Sequence, residues 1–283
     1  MMDWNSKQYL KFKAERTQPA VDLANTINLK NPKKILDAGC GPGNSTQVLY
    51  DKFPDAYILG VDSSQDMIDA AKKNCPHLDF KLCDISKDLD QLGQDFDIVF
   101  SNACIQWVPD HERLLKNMID LLNPEGVLAV QIPMNFKEPI HTIIQELAAS
   151  EKWKGYYKDT GRRNVLSQGE YYDILSDISR EFYIWDTVYY HTMKSHEDIL
   201  EWYRGTGLRP YLSALPEDKR AEFENEVLRR LIIEYPKQKN GDVIFRFPRF
   251  FFIAYPKLNK IRLKKRRNFL CFYFRRTKTG DNI

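Results

Sequence analysis

The feature that most constrains this chain is a glycine-rich segment between a predicted strand at 34–38 and a predicted helix at 44–53. The segment contains Gly39, Gly41 and Gly43. Glycine lets the backbone turn tightly and approach a ligand closely. Asn44 stands where the fingerprint G-x-G-x-x-G of dinucleotide sites requires its third glycine, so the spacing does not favour a dinucleotide.

Strand and helix patterns alternate along the first half of the chain. Further strands are predicted at 57–62, 79–83, 96–101 and 127–131, and helices at 64–74 and 111–122. This alternation predicts βαβ units and an α/β fold with a mostly parallel sheet. In the second half we predict helices at 139–151, 195–205 and 216–235, and strands at 183–193 and 243–255, the latter interrupted by Pro248. The polar stretch 153–169 predicts a loop or lid.

Three acidic residues follow or end the predicted strands near the glycines. Asp37 precedes the glycines, where a carboxylate would repel a pyrophosphate but would suit an ammonium group. Asp62 ends the second strand and can accept hydrogen bonds from both ribose hydroxyls. Asp84 follows the third strand and can accept from an adenine amino group. An ammonium, a ribose and an adenine together indicate S-adenosylmethionine.

This pattern resembles the class I S-adenosylmethionine-dependent methyltransferases. The resemblance implies a Rossmann-like, seven-stranded, mostly parallel sheet with an antiparallel last strand at 243–255, paired with 183–193, plus helical cap insertions. It also implies further cofactor contacts. These are Ser63, Met67 and Ile85 beside the acidic residues, Asn102 and Gln106 near the sulfonium, and Tyr9 and Arg16 from an N-terminal segment that closes over the cofactor.

Longer blocks of sequence, running from residue 3 to about 255, resemble the trans-aconitate 2-methyltransferase family. They include 106–111, 122–131, 171–175, 206–210 and 247–249. The resemblance implies methyl transfer to a carboxylate of trans-aconitate, which gives a monomethyl ester and S-adenosylhomocysteine.

A tricarboxylate substrate requires fixed positive charge, which arginine supplies through its planar fork. The predicted substrate-binding residues are Arg209, Arg249, His191 and Tyr190. A carboxylate is already ionised at neutral pH, so we predict no acid–base residue. Trp107, Gln131 and Tyr190 are predicted to position the reacting groups.

Two other functions remain open from the sequence. A carboxyl methyltransferase acting on a malonyl carrier would share the cofactor half but would need a basic docking surface. A non-catalytic module that binds S-adenosylmethionine would keep the same motifs.

Composition limits the remaining possibilities. Residues 257–283 carry ten Lys and Arg against one Asp, a formal charge of +9, so the preceding residues carry −6 and do not resemble a nucleic-acid binder. The five cysteines lack the CxxC spacing of a metal site and suit a reducing cytoplasm.

We predict an N-terminal helical lid at 1–30, a methyltransferase domain at 31–257 with cap elements at about 139–180 and 195–240, and a basic tail at 258–283. A solvated extension, an anchor for anionic surfaces and a reading-frame artefact remain open for the tail.

Overall fold

The computed structural model describes residues 13–157 and 164–258. Within these residues, seven strands form one sheet. They are β1 (Lys34–Ala38), β2 (Tyr57–Asp62), β3 (Asp79–Leu82), β4 (Phe96–Asn102), β5 (Leu122–Pro133), β6 (Ser179–Met193) and β7 (Val243–Pro256). Their spatial order is β3-β2-β1-β4-β5-β7-β6. The first five strands are parallel to one another, and β7 runs antiparallel to both β5 and β6.

The sheet confirms the predicted α/β, Rossmann-like class with an antiparallel last strand. Strand β7 pairs with β6 along nearly its whole length, from Val243 opposite Met193 to Pro256 opposite Ser179. Pro248 does not interrupt it, contrary to the sequence expectation. The Pro248 carbonyl accepts a hydrogen bond from the Met134 amide at 3.0 Å, so the strand remains bonded at this position.

Helices cover both faces of the sheet and extend beyond one of its ends. They are α1 (Lys13–Thr26), α2 (Asn44–Lys52), α3 (Gln65–Asn74), α4 (His111–Asp120), α5 (Pro139–Ala149), α6 (Gln168–Ile178), α7 (His196–Arg204), α8 (Arg209–Ala214) and α9 (Glu217–Glu234). As predicted, Ser64 caps α3, with its hydroxyl accepting from the Met67 amide.

Two apolar cores lie on opposite faces of the sheet. One packs α1 and α2 against the strands through Leu23, Leu49 and Phe100. The other packs α4 and α6 through Leu115 and Tyr171. Helix α1 is therefore part of the domain core over its second half, because Ala20, Leu23 and Ala24 are buried there.

A third core forms a cap from α5, α7, α9 and the first half of β7. Trp153 is buried in this cap, with its ring edge-on to Phe223 and its indole N–H donating to Glu226 at 2.8 Å. The predicted loop or lid therefore starts from a fixed point, because the buried indole anchors residue 153 in the cap just before the short turn at Lys154–Tyr156. Helix α6 lies against the sheet core rather than in the cap.

The basic tail from residue 259 onward lies outside the described residues. Among the residues described, no helix combines the length and apolar character needed to cross a membrane.

Candidate functional site

Five polar side chains lie on one face of the sheet, where they form a row across five strands. Side chains alternate between faces along a strand, and each of these residues is two positions from a residue of the α1–α2 core. In strand order β1, β4, β5, β7 and β6, they are Asp37, Asn102, Gln131, Arg249 and His191. We call this set the polar row. It brings together residues that the sequence predicted separately for cofactor and for substrate.

The glycine-rich loop follows β1 beside the acidic end of the polar row. The amides of Gly39 and Cys40 donate to the Val61 carbonyl at 2.8 and 2.9 Å, which fixes the loop against β2. Gly39 has φ +83°, and a Cβ there would lie 2.1 Å from Cys104 Sγ. Gly41 has φ +53°, but a Cβ there would have no atom within 4 Å. Space at this end therefore opens above Gly41.

Asp37 is fully buried at the base of this loop. Its Oδ2 accepts hydrogen bonds from the hydroxyls of Ser45 and Thr46, both at 2.7 Å. Burial raises the pKa of Asp37 to about 6, although these hydroxyls oppose the shift. Its Oδ1 is buried without a hydrogen-bond partner. An unsatisfied buried carboxylate oxygen is costly, so this atom marks a position suited to a cationic donor.

Asp62 connects the glycine-rich loop to the start of α3. One oxygen accepts from the Gly41 amide at 3.0 Å, and the other accepts from the Ser64 amide at 2.9 Å. Burial raises the pKa of Asp62, and these backbone amides oppose the rise. Each carboxylate oxygen has two lone pairs, so both oxygens can accept a further donor. Ser63 is exposed beside Asp62, and Met67 is buried in the first turn of α3.

Asp84 and Ile85 follow β3. The Asp84 carboxylate accepts from the amide and hydroxyl of Ser86 at 3.0 and 2.6 Å and pairs with Lys87 at 3.1 Å. Burial would raise the pKa of Asp84, but the contacts with Ser86 and Lys87 lower it below its ordinary value. Ile85 is buried beside it. The predicted adenine acceptor is therefore ionised and held by its own turn.

The last residue of β4 and the loop that follows it contribute two unsatisfied oxygens. Asn102 Oδ1 and Gln106 Oε1 are both buried without a hydrogen-bond partner. Ala103, between them, has φ +52°, a left-handed conformation that non-glycine residues rarely adopt. The side-chain Nε2 of Gln106 donates to the Ala103 carbonyl at 2.8 Å, and this hydrogen bond stabilises the turn. Trp107 is 39% exposed at the end of the same loop.

The opposite end of the polar row is basic. Arg249, buried on β7, donates to Gln131 Oε1 at 3.2 Å, and the amide nitrogen of Gln131 is buried without a partner. His191 Nε2 is also buried without a partner. Burial, aided by the charge of Arg249, lowers the pKa of His191 to about 4, so this histidine is neutral at pH 7.

Arg16 on α1 reaches the aromatic cluster around His191. Its guanidinium carbon lies 4.9 Å from the centre of the Trp202 ring, and its Nη2 donates to the Trp202 carbonyl at 3.5 Å. Trp202 stacks on His191 with 5.0 Å between ring centres. The sequence predicted Arg16 as a cofactor contact, whereas the structure groups it with the basic end of the polar row. From the sequence, Trp202 was expected only as part of the predicted helix at 195–205 and not as a site residue.

Three predicted residues are not brought into the polar row. Tyr190 is 66% exposed and lies on the opposite face of β6 from His191, because adjacent residues of a strand alternate. Arg209 begins α8 and is half-buried. Tyr9 lies outside the described residues.

The resulting site is acidic at one end and basic at the other. Unsatisfied oxygens of Asp37, Asn102 and Gln106 point to a ligand that donates hydrogen bonds. The Gln131 amide and Arg249 supply donors for an anion. No cluster of side chains with the composition of a metal site occurs among the described residues.

Known proteins of similar sequence are methyltransferases. Residues 29–179 match a family model described as a methyltransferase domain. A trans-aconitate 2-methyltransferase of Escherichia coli is 44% identical over 254 residues, which cover 90% of this chain and 98% of that protein.

Solved structures of low sequence identity share the fold. The YcgJ protein of Bacillus subtilis superposes with a TM-score of 0.58 at 13% identity, covering 86% of this chain and all of that one. A phosphoethanolamine N-methyltransferase of Haemonchus contortus, solved with S-adenosylhomocysteine, has a TM-score of 0.50 at 16% identity, covering 85% of this chain and 53% of that one.

Proposed function

The chain belongs to the trans-aconitate 2-methyltransferase family, and from that premise we propose that it methylates one carboxylate of trans-aconitate. It is an S-adenosylmethionine-dependent methyltransferase. The proposed products are the monomethyl ester and S-adenosylhomocysteine. The observation that carries the proposal is the polar row, because it sets an acidic ammonium site beside a buried basic site on one sheet face.

The residues at the acidic end fit the cofactor. Asp37 offers an unsatisfied buried carboxylate oxygen to the ammonium group, and Asp62 offers two oxygens to ribose hydroxyls. The open space above Gly41 lets the ligand approach the backbone. Asp84 is proposed for the adenine amino group, and Asn102 and Gln106 for polar contacts near the sulfonium.

The residues at the basic end fit a small polycarboxylate. We propose that Arg249 and Arg16 hold the carboxylates that do not react, since a guanidinium binds a carboxylate through two parallel hydrogen bonds. Neutral His191 and the Gln131 amide add weaker donors. Arg209 remains a proposed third cation, supported by its half-buried position at the start of α8. Tyr190 is not part of this proposal because it is exposed on the other face of β6.

The proposed mechanism depends on placement rather than on proton transfer. When bound, the cofactor supplies a methyl group on a positively charged sulfur, which leaves as a neutral thioether. The attacking carboxylate is ionised at neutral pH and needs no base. Tight pairing with arginine would stabilise that oxygen in the ground state, so we propose that Gln131 orients it instead. The buried residues of the polar row exclude water around it.

The proposed function is tested by a methyl-transfer assay with labelled cofactor and the full chain. The panel contains trans-aconitate, cis-aconitate, isocitrate, citrate and a malonyl carrier protein, with mass analysis of the products. We expect a labelled monomethyl ester from trans-aconitate with the highest kcat/KM. Methylation of the carrier alone would replace this proposal with the carrier-type enzyme. Binding of S-adenosylhomocysteine without any methylated product would favour a non-catalytic module.

We predict that cofactor affinity depends on the ionisation of Asp37. Because the pKa of Asp37 is about 6, protonation below pH 6 removes the charge that attracts the ammonium group. The Kd for S-adenosylhomocysteine should therefore rise about tenfold between pH 7 and pH 5. Isothermal titration calorimetry at several pH values measures this change.

The variant Asp37→Asn separates binding from stability. Folding raises the pKa of the Asp37 carboxyl group, so the free energy of unfolding decreases as the pH rises from the unfolded to the folded pKa value. Above pH 6 the full decrease remains. We therefore expect Asp37→Asn to raise the unfolding temperature of the cofactor-free protein at pH 7.5 and to weaken ligand binding. An unchanged Kd, still dependent on pH, would show that another group binds the ammonium.

We propose a cytoplasmic location. Cys40, Cys75, Cys83 and Cys104 form no disulfide within the described part of the chain. Cysteines outside disulfides are usual in a reducing compartment.

A further inference from the structure

A buried histidine and a buried tyrosine form a hydrogen-bonded pair next to the turn that follows β4. His111 is the first residue of α4. Its Nδ1 lies 2.5 Å from the Tyr171 hydroxyl oxygen, and its Nε2 lies 2.8 Å from the Ile105 carbonyl oxygen. Both side chains are buried. The pair therefore joins α4 and α6 to the turn at Ile105–Trp107, and neither residue belongs to the polar row.

The direction of these hydrogen bonds follows from their partners. A carbonyl only accepts, so Nε2 of His111 carries the proton and Nδ1 accepts from the Tyr171 hydroxyl. The backbone amide of Leu166 donates to the Tyr171 oxygen. Burial lowers the pKa of His111, which favours the neutral ring that this arrangement requires. The chain of bonds runs from Leu166 through Tyr171 and His111 to Ile105.

The turn held by this pair contributes directly to the candidate cofactor site. Ile105 follows the left-handed Ala103 and directly precedes Gln106, whose Oε1 is unsatisfied. Cys104 packs against Gly39 of the glycine-rich loop, where an added Cβ would collide with its sulfur. A displacement of Ile105 would therefore move both Gln106 and the contact with the glycine-rich loop.

Stability alone does not account for a polar pair at this position. Tyr171 is surrounded by apolar side chains, with Phe250 and Phe252 at ring-centre distances of 5.4 and 5.9 Å. Replacing both partners of a buried hydrogen bond by apolar groups of similar shape is often nearly neutral for folding. The specific contribution of the pair is orientation, because a hydrogen bond fixes the Ile105 carbonyl in a way that apolar packing does not.

We propose that His111 and Tyr171 are positioning residues that hold the turn after β4 in the geometry that binds S-adenosylmethionine. They act through Ile105 and Gln106 and do not touch the ligand. The inference rests on the cofactor of the proposed function but not on its substrate. Binding of S-adenosylhomocysteine to the unaltered protein tests that cofactor separately, so the two ideas can fail independently.

The test compares Tyr171→Phe with a matched variant in the cap. Tyr235 is also buried, and its hydroxyl accepts a hydrogen bond from a backbone amide, that of Ile140, at 3.3 Å. Tyr235→Phe therefore removes a similar hydroxyl in a different core. For Tyr171→Phe we expect the Kd of S-adenosylhomocysteine to rise about five- to tenfold, because one buried hydrogen bond is lost. Tyr235→Phe should leave this Kd within about twofold of the unaltered value, since the loop contacts remain.

Hydrogen–deuterium exchange supplies a readout independent of binding. The amides of Trp107 and Val108 donate to the carbonyls of Cys104 and Ile105 at 3.1 and 2.9 Å. Exchange in the peptide 103–108 should become faster in Tyr171→Phe but not in Tyr235→Phe. Equal Kd values for the two variants, with unchanged exchange at 103–108, would overturn the proposal.

A conservative replacement keeps the test decisive if Tyr171→Phe does not fold. In His111→Gln, the side-chain amide of the glutamine can still donate to the Ile105 carbonyl. In His111→Ala, the contacts with both Ile105 and Tyr171 are lost. We expect the glutamine variant to keep more of the affinity for S-adenosylhomocysteine than the alanine variant. Equal affinity in the two variants would contradict a positioning role.

Discussion

Replacing Gly39 with alanine is expected to destabilise the protein by about 3 kcal/mol or more. The residue has φ +83°, and its new Cβ would lie 2.1 Å from Cys104 Sγ and 2.3 Å from Cys104 Cβ. A left-handed conformation costs a non-glycine residue about 1–2 kcal/mol, and overpacking adds about 1–3 kcal/mol. Relief requires Cys104, and with it the turn after β4, to move away from the glycine-rich loop. We therefore also expect the affinity for S-adenosylhomocysteine to fall at least about tenfold.

Gly41→Ala is the matched control, because it adds the same methyl group two residues away. A Cβ on Gly41 meets nothing within 4 Å, so only its φ of +53° opposes the change. The unfolding temperature should fall by a few degrees at most, which corresponds to about 1–2 kcal/mol. The added methyl group enters the open space beside the loop, so ligand affinity should still decrease. Thermal unfolding and calorimetric titration of both variants measure the two effects separately.

The two glycine variants separate the role of the glycine-rich loop in ligand binding from its role in packing against Cys104. Unchanged ligand affinity in Gly41→Ala would show that the cofactor does not use the space above this residue. A stable Gly39→Ala protein would show that the turn after β4 yields more easily than the packing of Cys104 indicates.

For catalysis, the largest expected effect is that of Arg249→Met. We expect kcat/KM for trans-aconitate to fall about 30-fold to several thousand-fold, because loss of one partner from a buried charge pair costs about 2–5 kcal/mol. The loss should appear mainly as a higher KM, since the arginine is proposed to hold a carboxylate that does not react. The Kd of S-adenosylhomocysteine should change little. Initial-rate kinetics with trans-aconitate, together with cofactor titration, give these values.

Arg230→Met provides the control for the lost charge. Arg230 lies on the cap surface, where it pairs with Glu146 at 3.0 Å and is partly exposed. Removing it changes the net charge equally, but surface ion pairs contribute little, so the kinetics should remain close to those of the unaltered enzyme. If both variants have the same KM for trans-aconitate, Arg249 does not bind the substrate and the assignment of the basic end is wrong.

The cofactor half of the site could be predicted from the sequence because its chemistry is local. Asp37, the glycines and Asp62 each stand directly at the end of a buried strand, and parallel strands bring their carboxyl ends to one edge of a sheet. The antiparallel order of the last strands followed from the resemblance to the family, and the register from Val243 to Pro256 confirms it.

Arg249, His191 and Gln131 were predicted one by one for the substrate half, but local sequence patterns could not show how they group, because these residues are far apart in the chain. Arg16 reaches Trp202 across 186 positions, and Arg249 reaches Gln131 across 118. Tyr190 and His191 are neighbours in sequence, yet Tyr190 is exposed and His191 is buried. Side chains alternate along a strand, but the sequence alone does not show which of the two faces is buried. Arg209 begins a short helix, Arg209–Ala214, that was not predicted from the sequence.

The sequence by itself determined the fold class, the cofactor loop and the acidic residues beside it, because strand periodicity, glycine conformation and charge act over a few neighbouring positions. The tertiary structure alone decided which arginines share a buried cluster, which side of β6 faces the site, and that His111 and Tyr171 meet behind the loop. These contacts depend on how helices and strands pack, and packing joins residues whose separation in the chain carries no local signal.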